Sequence, residues 1–222
     1  MKIYCMGGLG ADQRVFENFQ PDHPCTFLPW LPPHSDETLP AYARRFSKQI
    51  ATDQPFALLG VSFGGMLALE LNQWVQPALT VLISSAASPR EFPWAFRILA
   101  KSRHTRTIPS FLLRPPAVAL AYAFGIKEKK HKTMLKDIIH DTDPSFFRWA
   151  LRSLLQWHPS PLPPTAYRIH GTRDKIIPYS PRHNQHAIDG AGHFMIMTHA
   201  GAVSRIVHDL ISQVPDHTSP AR

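Results

Sequence analysis

The sequence predicts an α/β fold: a mostly parallel sheet with helices on both faces, interrupted by a wholly helical insertion. Three observations predict it. Short apolar runs of strand length alternate with amphipathic segments as far as Ser84, the pattern of parallel strands joined by crossover helices. From Ser88 to Pro164 that alternation stops and only helical periodicity remains. At Thr165 the strand–helix pattern resumes and runs to a final helix. The expected division is therefore a core of 1–87 and 165–222 and a helical insertion of 88–164.

Each element has its own signal. Lys2–Met6 is a β-like run ending in Gly7-Gly8-Leu9-Gly10. Ala11–Phe19 reads as a helix with Val15, Phe16 and Phe19 on one face. Cys25–Trp30 is a second short strand among prolines, and Leu39–Ala51 is helical through Leu39, Tyr42, Phe46 and Ile50. Phe56–Val61 and Leu79–Ser84 are continuous apolar runs, as strands covered on both faces require. The helix between them, Phe63–Val75, stops before Pro77. The insertion shows four helical stretches: Phe92–Thr105, Ala117–Phe124, Glu128–Ile139 and Pro144–Trp157. The last has Asp143 as its cap and Pro144 at its first position. Pro159, Pro161, Pro163 and Pro164 return the chain to strand Thr165–His170, followed by the very short strand Gln185–Ile188. Ala200–Val214 closes the pattern as a helix, and Asp216–Arg222 reads as a disordered tail. No internal repeat is present.

The 222 residues suffice for one full core, and 44% hydrophobic with 18% charged residues suits a soluble globular chain. No apolar run approaches the roughly 18 residues of a membrane span. The glycine-bounded start is too short for an export signal, so the expected compartment is the cytoplasm. Cys5 and Cys25 are expected to be free thiols, though their spacing alone leaves a disulfide open. The net charge is +8, and its distribution is uneven. Ser88–Ser160 holds 13 Lys and Arg against 5 Asp and Glu, while the remainder holds 11 of each. The whole excess sits on the insertion. It is either a solvated basic face or a field over a cleft that draws anionic substrates. Nucleic acid is not the expected partner, because no basic–aromatic interleaving or recognised motif accompanies the charge.

Gly60-Val61-Ser62-Phe63-Gly64 matches Gly-x-Ser-x-Gly. Five-residue patterns arise by chance, so the context carries the weight: a buried strand precedes this one and a helix follows. A turn that sharp strains the serine backbone and presents its hydroxyl above the carboxyl end of the sheet, at a helix N-terminus. A serine needs a base to take its proton, and the base needs an acid to hold its tautomer. Asp174 lies in the loop after strand Thr165–His170, and His193 lies in the loop after Gln185–Ile188. Ser62, Asp174 and His193 thus stand in the order Ser, acid, His expected on such a sheet. The alternative for each later residue is a turn or cap. Two backbone donors are expected for an oxyanion, from Phe63 after the nucleophile and from Leu9 between its glycines.

The other histidines carry less. His170 ends a strand and reads as structural. His183 and His186 lack a carboxylate pattern for a metal, and His199 and His208 belong beside or within the final helix as surface residues. No metal or cofactor is expected.

The chain resembles the α/β-hydrolase superfamily over nearly its whole length. In particular it is similar to small bacterial hydrolases that open with Gly8-Leu9-Gly10-Ala11-Asp12 and Arg14-Val15-Phe16. The resemblance implies that the insertion is a helical lid. Three departures stand out. The two antiparallel strands that usually open the fold are missing, Gly7-Gly8 replaces a common His-Gly, and the stretch from Asp174 to the last strand is short. The implied activity is hydrolysis of a small ester or thioester through an acyl-enzyme. The substrate is expected to be a small molecule, anionic if the basic helices face the cleft, with no nucleic acid or membrane partner and the oligomeric state open. Two rivals use the same residues: a lyase that eliminates with the serine–histidine pair, and a non-catalytic binding protein of the same fold.

Overall fold

A computed structural model describes residues 1–101 and 116–215. Six strands form one sheet: β1 (Lys2–Met6), β2 (Cys25–Phe27), β3 (Phe56–Val61), β4 (Leu79–Ile83), β5 (Ala166–Gly171) and β6 (Gln185–Ile188). Their order is β2-β1-β3-β4-β5-β6, and every pairing is parallel. The sheet is therefore wholly parallel where the sequence suggested mostly parallel. Strand order reverses between β1 and β3, and in open parallel sheets that switch point opens a crevice at the carboxyl ends.

The apolar runs explain the layering. All six residues of β3 are buried, since helices cover both of its faces. Alternate side chains divide between two cores. Ile3, Cys5, Leu59 and Val81 pack with the last helix, and Tyr4, Met6, Leu58 and Leu82 pack with the first two. Helix α1 (Leu39–Phe46) is capped by Thr38, whose hydroxyl accepts from Ala41 N–H, and it buries Leu39, Tyr42, Ala43 and Phe46. Helix α2 (Phe63–Leu71) is buried along its entire length.

Among the described residues, four α-helices lie between β4 and β5: α3 (Trp94–Lys101), α4 (Ala117–Ala123), α5 (Lys129–Asp141) and α6 (Pro144–Leu155). The expected helix Phe92–Thr105 begins only at Trp94, since Phe92 is extended ahead of Pro93; residues 102–105 and the tail Asp216–Arg222 lie outside the described residues. The Asp143 cap of α6 accepts from Ser145 N–H at 2.6 Å. The insertion is tied down at several points. Thr142 Oγ1 donates to Gly10 O at 3.2 Å, and Arg14 bridges Asp12 and Asp141. Trp149 Nε1 donates to Glu37 O at 2.7 Å, and Phe194 N–H donates to Phe124 O at 3.2 Å. Glu70 of α2 is fully buried and accepts from Trp157 Nε1 and Ser160 Oγ, both at 2.9 Å.

Several boundaries differ from the sequence reading. Ala11–Phe19 forms only a single 3-10 turn at Gln13–Phe16, because Asp12 caps Arg14 at once and the chain leaves at Pro21. The second strand ends at Phe27, ahead of Pro29, and α1 gives way to a 3-10 turn at Ser47–Gln49. Helix α2 ends at Leu71 rather than Val75. There the Asn72 side chain donates to Ala68 O at 2.7 Å and to Thr80 Oγ1, competing with the helical ladder. A short helix α7 (Met195–Thr198), unforeseen in the sequence, precedes α8 (Ala200–Ser212). Cys5 is buried, Cys25 is exposed, and both are free thiols.

Candidate active site

The turn after β3 is tightly constrained. Ser62 has φ 54° and ψ −118°, a strained conformation for a residue with a Cβ. Its neighbours hold it there. Ser62 N–H donates to Ile83 O at 2.9 Å, and Ser85 Oγ donates to Ser62 O at 2.7 Å. A Cβ on Gly60 would collide with the Gly64 backbone, and one on Gly64 would collide with Gly7 O. Only glycine lets strand, helix and the β1 loop approach this closely.

The loop after β5 carries Asp174. Its Oδ1 accepts from Ile176 N–H at 2.8 Å and Ile177 N–H at 2.9 Å, which fixes the carboxylate plane. Its Oδ2 lies 2.8 Å from His193 Nδ1 and 3.4 Å from His170 Nε2, and the side chain is fully buried. Burial alone would raise this carboxyl. Hydrogen bonds from His170 and His193, the His193 charge and the Ile177 N–H outweigh burial and hold it well below the usual carboxylate range.

His193 lies in the Gly190–Phe194 loop after β6 and is 4% exposed. Its Nε2 faces Ser62 Oγ at 3.0 Å, across 131 residues of chain. Asp174 Oδ2 accepts from Nδ1–H, which directs Nε2 toward the Ser62 hydroxyl as the acceptor of its proton. Phe124 packs against the ring at 5.1 Å between centroids.

Leu9 and Phe63 line the same cavity as Ser62 and His193. Phe63 is the first residue of α2, so its N–H has no partner inside the helix. The cavity measures about 800 Å³ and is walled by apolar residues of the core loops and of α4, α5 and α6. The structure thus brings Ser62, Asp174, His193, Leu9 and Phe63 to one place.

His170 is the contact that the sequence reading passed over. The sequence reads it as structural, and in keeping with that its Nε2 donates to Ile177 O at 2.8 Å; it also lies 3.4 Å from Asp174 Oδ2. The available signal was its position four residues before Asp174. Among the basic residues of the insertion, Lys136 lines the cavity, whereas Arg97, Lys129, Lys130 and Lys132 do not; Lys130 pairs with Glu17 instead. Arg103 lies outside the described residues. Among the described residues no three His, Cys, Asp or Glu side chains gather to hold a metal, and no helix is long and apolar enough to cross a membrane.

A model of the alpha/beta hydrolase family matches residues 7–206. No curated protein matches the sequence. Solved structures match in fold. A thermophilic esterase from Thermogutta terrifontis has a TM-score of 0.67 at 16% identity, covering 96% of this chain and 90% of its own. A lipase-esterase related protein from Clostridium acetobutylicum has a TM-score of 0.69 at 14% identity, covering 94% and 93%. The RedJ thioesterase of the prodiginine biosynthetic pathway in Streptomyces coelicolor has a TM-score of 0.60 at 15% identity, covering 92% and 89%. The chain belongs to the alpha/beta hydrolase family.

Proposed function

We propose that this member of the alpha/beta hydrolase family is a serine hydrolase that cleaves a small carboxylic ester or thioester through an acyl-enzyme. The observation that carries the reading is His193, suspended between Ser62 Oγ at 3.0 Å and Asp174 Oδ2 at 2.8 Å. The esterase, lipase-related and thioesterase structures that share the fold are consistent with it.

In this reading Ser62 Oγ attacks the substrate carbonyl carbon as its proton passes to His193 Nε2. Asp174 keeps the imidazole in the competent tautomer and stabilises the imidazolium. The N–H groups of Phe63 and Leu9 receive the developing oxyanion. The carbonyl carbon's bond to the leaving oxygen or sulfur breaks, and the leaving group takes the proton from His193. Water then repeats the sequence on the acyl-serine, freeing the acid and restoring Ser62. The helices of 88–164 serve as a lid over the core of 1–87 and 165–222, excluding bulk water from the acyl-enzyme.

A fluorophosphonate probe tests the nucleophile. It should attach to Ser62, located by mass spectrometry of the labelled peptide. Attachment at another serine, or none on folded protein, would sink the reading. Uptake of labelled oxygen from water into the acid product separates hydrolysis from elimination.

A further inference from the structure

Among the described residues, the lining of the Ser62 cavity is charged in one sense only. Three titratable side chains besides His193 line the cavity: Lys136 and His140 of α5, and Lys175, directly after Asp174. Among the described residues no aspartate or glutamate lines it. Neither Lys136 nor Lys175 enters an ion pair among the described residues, and both are exposed. Lys136 and His140 stand one turn apart on α5, so they share a face. Lys175 Nζ sits 3.5 Å above the Tyr122 ring of α4, which holds the ammonium at the rim instead of leaving it free in solvent. Behind this rim the cavity is apolar, walled by residues such as Phe92, Phe96, Leu135, Phe147, Leu151 and Ile196.

An apolar chamber with a cationic rim and no carboxylate fits one kind of molecule. We propose that the substrate is an anionic amphiphile, with an apolar chain in the chamber and a carboxylate or phosphate group held at the rim by Lys136 and Lys175. The proposal rests on the serine-hydrolase reading and adds to it the substrate class. The chain provides the buried apolar area that drives entry. The anion provides orientation, because only one end of the substrate is compatible with each end of the cavity. The charge belongs either to the far end of the acyl chain or to the leaving group, and the same lysines would meet it in both cases.

Two matched pairs of substrates distinguish these sources. The mono-4-nitrophenyl ester of suberic acid against 4-nitrophenyl octanoate places the charge on the acyl chain. Octanoyl-coenzyme A against the octanoyl thioester of N-acetylcysteamine places it on the leaving group. In at least one pair the anionic member should have kcat/KM about tenfold higher at ~0.01 M salt, and the ratio should shrink toward one near ~1 M. Replacing Lys136 and Lys175 together by Ala should abolish the ratio, while replacing both by Arg should retain it. Binding of decanoate and decanol to Ser62→Ala, followed by calorimetry, provides a readout without turnover. There the carboxylate should bind more tightly, and Lys136→Ala with Lys175→Ala should remove the difference. Equal kcat/KM within both pairs, with neutral esters still cleaved, would overturn this inference and leave the hydrolase reading standing. Anion-dependent binding without any turnover or Ser62 labelling would overturn the hydrolase reading and the substrate class with it, leaving Lys136 and Lys175 as an anion-binding rim.

Discussion

Two clefts lie at opposite ends of the same strands, and the larger of the two is the poorer in reactive side chains. The cleft at the amino ends of β3, β4 and β5 measures about 980 Å³, against about 800 Å³ at the carboxyl ends. Its lining includes Pro55, Trp74, Pro77, Pro164 and Tyr167, and among the described residues Asp53 is its one carboxylate and no serine, histidine or lysine joins it. The smaller cleft gathers Ser62, His193, Lys136 and Lys175. Volume therefore does not choose the site; strand direction does. In a parallel sheet every strand delivers the chain to the same edge. The loops that follow β1, β3, β5 and β6 then converge there with Leu9, Ser62, Asp174 and His193. The loops at the amino ends return the chain, and proline-rich turns suffice.

The sharpest break of this comparison is Ser62→Ala. Ester turnover should fall by about 10⁶-fold in kcat, the scale of losing a serine nucleophile. Residual turnover near that of the wild type would mean that the strained turn has no chemical role. Asp174→Asn comes next, with kcat expected to drop roughly 10³–10⁴-fold while the fold persists by circular dichroism. A fall of less than tenfold would place the orienting acid elsewhere.

Glu70 serves the fold instead, buried on Trp157 and Ser160 and absent from the cavity lining. Glu70→Ala strands the Trp157 indole N–H and the Ser160 donors beneath the insertion. Urea unfolding should show a loss of ~2–4 kcal/mol, from buried donors left without partners. A loss below about 1 kcal/mol would mean that water replaces the carboxylate there.

Asp174 also predicts a pH signature. Its folded-state pKa is depressed, so its contribution to stability is present above the unfolded value of about 3.9 and is lost as pH falls through the folded value. The melting-temperature gap between wild type and Asp174→Asn should thus stay constant from about pH 7 to 5 and close below about pH 4. A gap that closes already near pH 6 would assign it to the histidines. The smallest effect belongs to the larger cleft. Trp74 is half exposed, with the Arg44 guanidinium 5.2 Å from its ring. Trp74→Ala should cost at most about 1 kcal/mol and leave kcat unchanged. A substantial drop in turnover would give the larger cleft a role.

The sequence by itself determined what depends on neighbours a few residues apart. The apolar runs of β3 and β4, the Asp143–Pro144 start of α6 and the glycines around Ser62 are local signals, each with a local physical cause. The +8 confined to the insertion was likewise legible by counting. Where two local signals compete, the element boundary shifts. Asp12 capping cut the Ala11–Phe19 helix to one 3-10 turn, and the Asn72 side chain stopped α2 early. Only the tertiary structure decided which loops meet. The Ser62–His193 contact spans 131 residues, and it exists because sheet register aligns the ends of β3 and β6 through two intervening strands. The His170 contact with Asp174 depends on how the loop after β5 folds back on its strand. The choice of Lys136 over Lys129, Lys130 and Lys132 depends on which face α5 turns to the core, where Leu135 and Ile138 are buried. Caps, turns and periodicity act through bonded neighbours and can be read along the chain. Burial is shared among elements remote in sequence, so its consequences are fixed only when they pack.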